Sequence, residues 1–334
     1  MSKFPHPTIW LRRICIAFFA VAMLCLVGLV LLRLRAPISP PKYGITFSTI
    51  YASQLGLDYQ KTFQDLVEIL GVRSVRLPVY WYEVEPKQNQ FDFSKTDWLV
   101  KFAETHGVKL TLVVGSKVPR WPECFVPDWA RTMHTDTQQI EAMKLIQTTV
   151  DRYKSSIAIE RWQVENEPYF PFGVCEQIRA EDLNARVALV RSLDSRPIQM
   201  TVSGEMEPWG DLVGKADILG VSMYRKTWNK AIGYFVYPLT PEFYRWRFFL
   251  ARPNFKKVIV SELQAEPWFP DSIQSKPLEY WYSTFDATAF EDNIRFIEAT
   301  HADEVYLWGA EWWEYMRLHN DDRLWNVALG VFKK

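Results

Sequence analysis

Eight short β-rich runs alternate with amphipathic segments along most of this chain, and few folds accept that order. The runs are Gly44–Thr49, Ser74–Val79, Lys109–Val114, Ile159–Glu165, Ile198–Ser203, Ile218–Tyr224, Lys257–Glu262 and Glu304–Trp308. Between the first two, Tyr59–Leu70 places Phe63, Leu66, Val67 and Leu70 on one face at helical spacing, and Gly71 stops it. Trp98–His106, Thr137–Tyr153, Ala180–Ser192, Pro241–Leu250 and Asp286–Ala299 read the same way. Strand and helix in strict alternation imply a parallel sheet with helices on its outside, so an α/β fold of the (β/α)8 TIM barrel type is expected. An open doubly wound sheet is the alternative. It would usually carry a Gly-rich ligand turn after its first strand, and no G-x-G-x-x-G occurs among the 14 glycines. The stretch after Trp313 is short for a full eighth helix, with Arg323–Phe332 as its expected remnant.

The N-terminus stands apart from this pattern. Ile14–Leu32 is apolar and uncharged, and as a helix it would extend about 28 Å, close to a bilayer core. It ends in Leu-Leu-Arg-Leu-Arg without small residues, and Cys25 follows Leu24, so neither a signal-peptidase site nor a lipoprotein site is evident. An uncleaved signal anchor is expected: a tail over 1–13, a transmembrane helix over 14–32, a Pro-rich tether over 33–42 and a catalytic domain over 43–334. Basic residues flank the run on both sides (Lys3, Arg12 and Arg13 against Arg33, Arg35 and Lys42), so charge does not set its orientation. The expectation is a cytoplasmic tail, with the large domain periplasmic or at the cell surface.

Composition excludes several functions. Lys+Arg and Asp+Glu are both 39, so nothing basic is offered to nucleic acid. The four Cys and five His show neither CxxC nor HExxH spacing, and no metal or organic cofactor is expected. Fifteen Trp call for a core, an interface or a flat ligand to stack on.

In such a barrel, chemistry sits at the C-terminal strand ends. The fourth run ends Trp162-Gln-Val-Glu-Asn-Glu-Pro168 and the seventh ends Val258-Ile-Val-Ser-Glu262. Glu167 and Glu262 therefore finish strands on opposite sides of one mouth. Glycoside cleavage needs such a pair, one to protonate the leaving oxygen and one to capture the oxocarbenium-like centre; a separation of about 5–5.5 Å gives retention. Either carboxylate taken singly is as well explained as a cap or a solvated loop acid.

With these motifs the chain resembles clan A of the retaining glycoside hydrolases, the cellulase and β-galactosidase-like (β/α)8 superfamily, over nearly all of 43–334. The resemblance implies Glu167 as acid/base, Glu262 as nucleophile and Asn166 as partner of the sugar 2-hydroxyl. It implies Arg76, in Val75-Arg-Leu-Pro78, as the residue that orients the nucleophile, and Tyr224 as its hydrogen-bond donor. Trp308 would floor the sugar site, and Trp81 with the loop that follows it matches a substrate-binding loop. Arg76 and Tyr224 would keep Glu262 ionised, while the Glu262 charge would raise Glu167. Arg76 as a structural ion-pair partner, and Tyr224 and Trp308 as core aromatics, remain open.

The sequence also departs from the clan. No His stands near the ends of the third and sixth strands, and Glu165 precedes Asn166 where an apolar residue is common. Strict alternation puts Glu165 and Glu167 on one face and Asn166 on the other, so that strand end must be irregular. Val258, Val260 and Glu262 are expected to share a face, as are Ile218, Gly220, Ser222 and Tyr224. Glu205, Glu207, Glu266 and Glu311 read as solvated loop acids, with substrate or water contact as the alternative. Trp121 and Trp129 follow the third strand and could stack on sugar faces or simply pack their own loop. Cys124 and Cys175, on neighbouring loops, are expected to form a disulfide in an oxidising compartment. Cys15 and Cys25 lie in the apolar run.

The expected function is thus a membrane-anchored retaining β-glycosidase acting on an oligo- or polysaccharide, with carbohydrate and the lipid bilayer as its partners. A transglycosylase with the same residues, a non-catalytic carbohydrate-binding barrel and a membrane-tethered scaffold stay open at this point, as do the sugar and the oligomeric state.

Overall fold

The computed structural model describes residues 7–34 and 40–333. The expected tail and tether lie partly outside these, at 1–6 and 35–39. Eight parallel strands close a barrel: β1 (Lys42–Thr46), β2 (Ser74–Pro78), β3 (Lys109–Val114), β4 (Ile159–Val164), β5 (Ile198–Ser203), β6 (Ile218–Met223), β7 (Lys257–Gln264) and β8 (Glu304–Trp308). Each pairs with its neighbours in sequence, and β8 returns to β1 with Thr46 opposite Trp308.

Element ends shifted for local reasons. β1 stops at Thr46, not Thr49, because Ser48 caps the short helix Thr49–Gln54 and accepts from the Tyr51 amide. Two helices follow β8, Ala310–Leu318 and Arg323–Phe332, so the expected remnant is present with a full element before it. An antiparallel hairpin, Lys226–Asn229 with Gly233–Val236, interrupts the run after β6 and was not signalled by the sequence.

The strands divide their side chains sharply. Val75, Leu77, Leu110, Leu112, Trp162, Val164, Met200, Leu219, Val258 and Val260 join the helices in one apolar shell. The opposite face points into the barrel, where it is largely polar: Thr46, Arg76, Thr111, Arg161, Gln163, Gln199, Thr201 and Ser222 are all buried. A small cluster of Ile218, Ile259 and Tyr306 is apolar there, beside the Arg161–Glu304 ion pair at 2.6 Å.

The expectation for β7 fails at its end. Val221 pairs with Val260, but Ser222 pairs with Glu262, so Ser261 is an extra residue on β7. The β8 register shifts at the same place, Val305 opposite Val260 and Leu307 opposite Leu263. This β-bulge turns Glu262 off the outer face of Val258 and Val260 and into the barrel.

The N-terminal helix is Pro7–Leu34. Its stretch Trp10–Leu31, 22 residues, is long and apolar enough to cross a membrane, a test that a signal sequence also passes.

Closure leaves no room at Gly44. A Cβ there would lie 2.6 Å from the Ser74 carbonyl oxygen and 2.9 Å from the Tyr306 ring. Gly44→Ala should cost ~1–3 kcal/mol through overpacking against backbone that cannot yield. Thermal denaturation followed by circular dichroism should show a lowered Tm with the native spectrum retained at low temperature.

Candidate active site

Arg76 leaves β2 pointing into the barrel and is fully buried. Its Nε donates to Gln163 Oε1 (2.7 Å), Nη1 to Glu262 Oε1 (2.7 Å) and Nη2 to Asn166 Oδ1 (2.6 Å). A buried guanidinium requires such satisfaction, because an unpaired charge cannot be carried in the interior. Tyr224, just past β6, donates its hydroxyl to Glu262 Oε2 at 2.8 Å. Burial first and the Glu262 charge second hold the Tyr224 hydroxyl well above its ordinary pKa, so it remains a donor. Glu262 is thus an ion-paired carboxylate with one donor on each oxygen.

Glu167 has the opposite environment. It is buried, and desolvation pushes its carboxyl well above the ordinary range, followed by the charges of Glu262 and Glu123, against a smaller opposing pull from Ser222. The two carboxyls therefore stand in opposite surroundings, one paired with a cation and one desolvated beside other carboxyls.

The irregularity required at the end of β4 is present. Glu165 and Glu167 both have positive φ, 59° and 41°, with Asn166 between them. Non-glycine residues rarely adopt this region. The Asn166 amide donates to Lys117 O (2.7 Å), and the Glu167 amide donates to Thr201 Oγ1 (2.8 Å). Thr201 in turn donates to Asn166 Oδ1 at 2.9 Å. Glu165 is turned away and locked: it accepts from the Ser116 and Lys117 amides and pairs with Arg186. Its carboxylate occupies the space where a Cβ on Gly115 would sit, 2.0 Å away, and Gly115 has a φ of +133°. Only glycine fits there.

Three buried charged residues were missed. Lys117 donates its Nζ to Glu167 O (2.9 Å) and Phe170 O (2.7 Å), and lies 3.6 Å from Glu123 Oε2. Glu123 Oε1 accepts from Asn166 Nδ2 at 3.4 Å, and burial pushes its carboxyl up to about 8 against the pull of Lys117. Glu123 is thus a third carboxyl of the site. Arg120 stacks between Tyr51 (3.8 Å) and Trp308 (4.1 Å) and pairs with Glu266 and with Glu311 at 3.1 Å. Glu266 and Glu311 are therefore buried ion-pair partners, not solvated loop acids. Burial pushes Glu311 up to about 7. Glu205 rises to about 7 by burial and accepts from Tyr244, while Glu207 accepts from the Ser203 amide. A basic or acidic residue two to nine positions past a strand end was the available signal. It does not tell buried from solvated.

The aromatics also sort themselves. Trp81 is a correction: it is fully buried in the outer core, donates Nε1 to Glu85 Oε2 at 2.8 Å and lies edge-on to Trp129. It cannot touch a sugar. Trp129 donates to Glu85 O and packs the same loop. Trp121 is exposed and edge-on to Phe172 (5.8 Å); Phe172 neighbours Trp268 (6.1 Å), and Trp268 meets Tyr224 edge-on at 5.5 Å. These rings form one wall from the rim to Tyr224. Trp308 also reaches Tyr224, at 6.2 Å, with one face covered by Arg120. A Cys124–Cys175 disulfide, Cα atoms 5.3 Å apart, ties the loop holding Glu123 to the loop after β4. Among the described residues no group of His, Cys, Asp and Glu is arranged to hold a metal ion.

Residues 57–185 match the family model "Glycosyl hydrolase family 10", a span with Arg76, Asn166 and Glu167 but not Glu262. A curated β-galactosidase, BgaB of Geobacillus sp. (strain Y412MC61), is 24% identical over 165 residues, covering 43% of this chain and 23% of that protein. The chain thus matches under a quarter of that relative's length. Among solved structures, the β-galactosidase of the psychrophilic Marinomonas ef1 aligns with TM-score 0.58 at 12% identity, over 87% of this chain and 59% of that one. An endo-β-1,4-xylanase of family 10 from Gloeophyllum trabeum aligns with TM-score 0.54 at 16% identity, over 82% and 85%. A Streptomyces cattleya GH5_18 structure in complex with GlcNAc gives 0.53 at 14%, over 80% and 70%. The structural likenesses are of fold, and the chain resembles the clan A glycoside hydrolases.

The Glu167 environment has a measurable stability signature. A carboxyl whose native pKa is raised stabilises the fold below its unfolded pKa, and that contribution is lost as pH rises through the native value. Glu167→Gln removes the titration. Its Tm should therefore exceed that of the wild type by a margin that grows as pH rises above the ordinary carboxyl range, about pH 4. A margin independent of pH would show that Glu167 does not titrate as described.

Proposed function

We propose that this chain is a membrane-anchored retaining β-glycosidase acting on an oligo- or polysaccharide near the cell surface. The observation that carries this reading is the division between its two carboxyls. Glu262 is paired with Arg76 and accepts from Tyr224, while Glu167 has no cationic partner among the described residues and is pushed toward its protonated form. Double displacement needs one of each.

In this reading the Glu262 carboxylate attacks the anomeric carbon as Glu167 gives its proton to the departing glycosidic oxygen. The covalent glycosyl ester then neutralises Glu262. With that charge gone, one cause of the raised Glu167 pKa disappears, and the Glu167 carboxylate can take a proton from the attacking water. Water attack on the opposite face restores Glu262 and releases sugar with retained configuration. Asn166, fixed by Arg76 and Thr201, offers its Nδ2 to the sugar 2-hydroxyl. Trp308 and the Trp121–Phe172–Trp268 wall supply apolar faces for sugar rings.

The anchor reading rests on Trp10–Leu31, which leads into a barrel whose core is complete without it. Helix length matches the bilayer core, and the domain then lies outside the cytoplasm, where the Cys124–Cys175 bond is stable.

Glu262→Gln should abolish turnover of every substrate in a panel of aryl β-glycosides and cell-surface polysaccharides. Glu167→Gln should lose ~10²–10⁴-fold with poor leaving groups but far less with dinitrophenyl glycosides, whose departure needs no proton. Nuclear magnetic resonance of the first-formed product should show the β-anomer. Saturable sugar binding without turnover would instead identify a binding barrel, and an α-anomer would overturn retention.

A further inference from the structure

The helix Pro241–Ala251, on the outside of the barrel between β6 and β7, is apolar on two faces. Tyr244, Phe248 and Ala251 are buried against the barrel. On the other face Phe243, Trp246, Phe249 and Leu250 are 37%, 46%, 49% and 54% exposed, at the spacing of one helical stripe. Glu242, in the first turn, marks the N-terminal end of that face, and the two arginines of the helix turn away from it. Arg245 turns to His301, and Arg247 lies over the Trp209 ring and donates to Gly204 O and Glu207 O. The barrel helix Ala287–Glu298 shows the usual alternative, with Glu291, Asp292 and Arg295 outward. An outer helix in water has no reason to carry four large apolar groups together.

The N-terminal helix supplies a second, independent observation. A Cβ on Gly28 would lie 4.0 Å from Cζ3 of Trp246. Gly28 is three residues from Leu31, where the apolar stretch ends, about 4.5 Å along the axis. If Trp10–Leu31 spans the bilayer, Trp246 sits at the depth where hydrocarbon meets headgroups. That is the depth at which Trp is favoured, and a one-sided apolar helix lies there in the plane of the interface.

We propose that the outward face of Pro241–Ala251 rests in the interface of the bilayer that holds Trp10–Leu31, fixing the barrel against the membrane. The occupant is lipid, at the acyl–headgroup boundary. The proposal rests on the anchor reading above and is independent of the glycosidase reading. A surface so held cannot swing freely on its tether, so the barrel mouth keeps one orientation to the envelope.

The test uses the full chain with Cys15→Ser and Cys25→Ser, reconstituted in phosphatidylcholine–phosphatidylglycerol vesicles. A nitroxide is placed at Phe249→Cys, with Leu250→Cys as a second site if the first does not fold, and at Ile157→Cys, an exposed position before β4, as the water-facing control. Flotation with the vesicles reports the anchor. Power saturation then compares access to oxygen, which concentrates in lipid, with access to a water-soluble nickel complex. The proposal expects the label at 249 to gain oxygen access and lose nickel access, and the label at 157 to show the reverse. A chain that floats with both labels open to nickel overturns docking and leaves the anchor standing. A label at 249 shielded from both reagents means that protein, such as a second copy, covers the face, and also overturns it. A chain that does not float overturns the anchor and the docking together.

Discussion

The buried Arg76 guanidinium is the constraint around which the barrel interior is arranged. It stands on β2 and reaches Gln163 on β4, Asn166 past the end of β4 and Glu262 on β7. Thr201 and Gln199 on β5 complete the set by bonding to Asn166 and Gln163. Losing one partner of such a buried pair costs ~3–5 kcal/mol, because the other charge is left without compensation. Apolar residues of equal volume would serve stability as well. The polar interior is therefore better explained by what it positions than by what it stabilises. Stability resides in the outer shell, where strand faces meet helices in one continuous apolar core.

That division decides what the sequence could reveal. Outer strand faces and helix stripes follow simple periodicities, so the eight strands, their order and most helices could be read directly. The two strand ends that carry Glu167 and Glu262 break the period. On β4 two positive-φ residues bring Asn166 and Glu167 to the site together and send Glu165 the other way. On β7 the extra Ser261 rotates Glu262 inward. Neither device leaves a mark in composition or spacing. Gly115 is the one local clue, since only glycine leaves room for the Glu165 carboxylate. The resemblance to a family, and not the alternation, is what put Asn166 on the same side as Glu167.

Loop residues were legible only by type. Trp81 and Trp121 look alike in sequence, yet one is core and the other rim, because Trp81 finds a partner for its indole N–H in Glu85 and Trp121 stays outside. Lys117, Arg120 and Glu123 resemble ordinary surface charges. Their burial follows from the way the loop after β3 folds back over the mouth and is pinned by the Cys124–Cys175 bond. Cations and carboxyls then enter together, since a lone one could not be buried. Lys117 satisfies two carbonyls of the Glu167 loop, and Arg120 neutralises Glu266 and Glu311 beneath Trp308. In this chain they fill the space around strands that carry no histidine.

Glu123 gives that substitution a chemical consequence. In a site with two carboxyls, esterifying Glu262 removes the one neighbouring anion that raises Glu167. Here Glu123 also raises Glu167, and in the proposed double displacement Glu123 is not consumed. Its charge, where present, opposes the return of Glu167 to a carboxylate after the first step. The site answers this through Glu123 itself. Burial holds its carboxyl up at about 8, so it is largely neutral at physiological pH. The third carboxyl is thus tolerable beside the pair because it too is desolvated, and Lys117 stands 3.6 Å away to take up the charge when it ionises. Protonation states at the mouth are therefore set by the whole folded loop after β3 as much as by the two glutamates that face each other across the barrel.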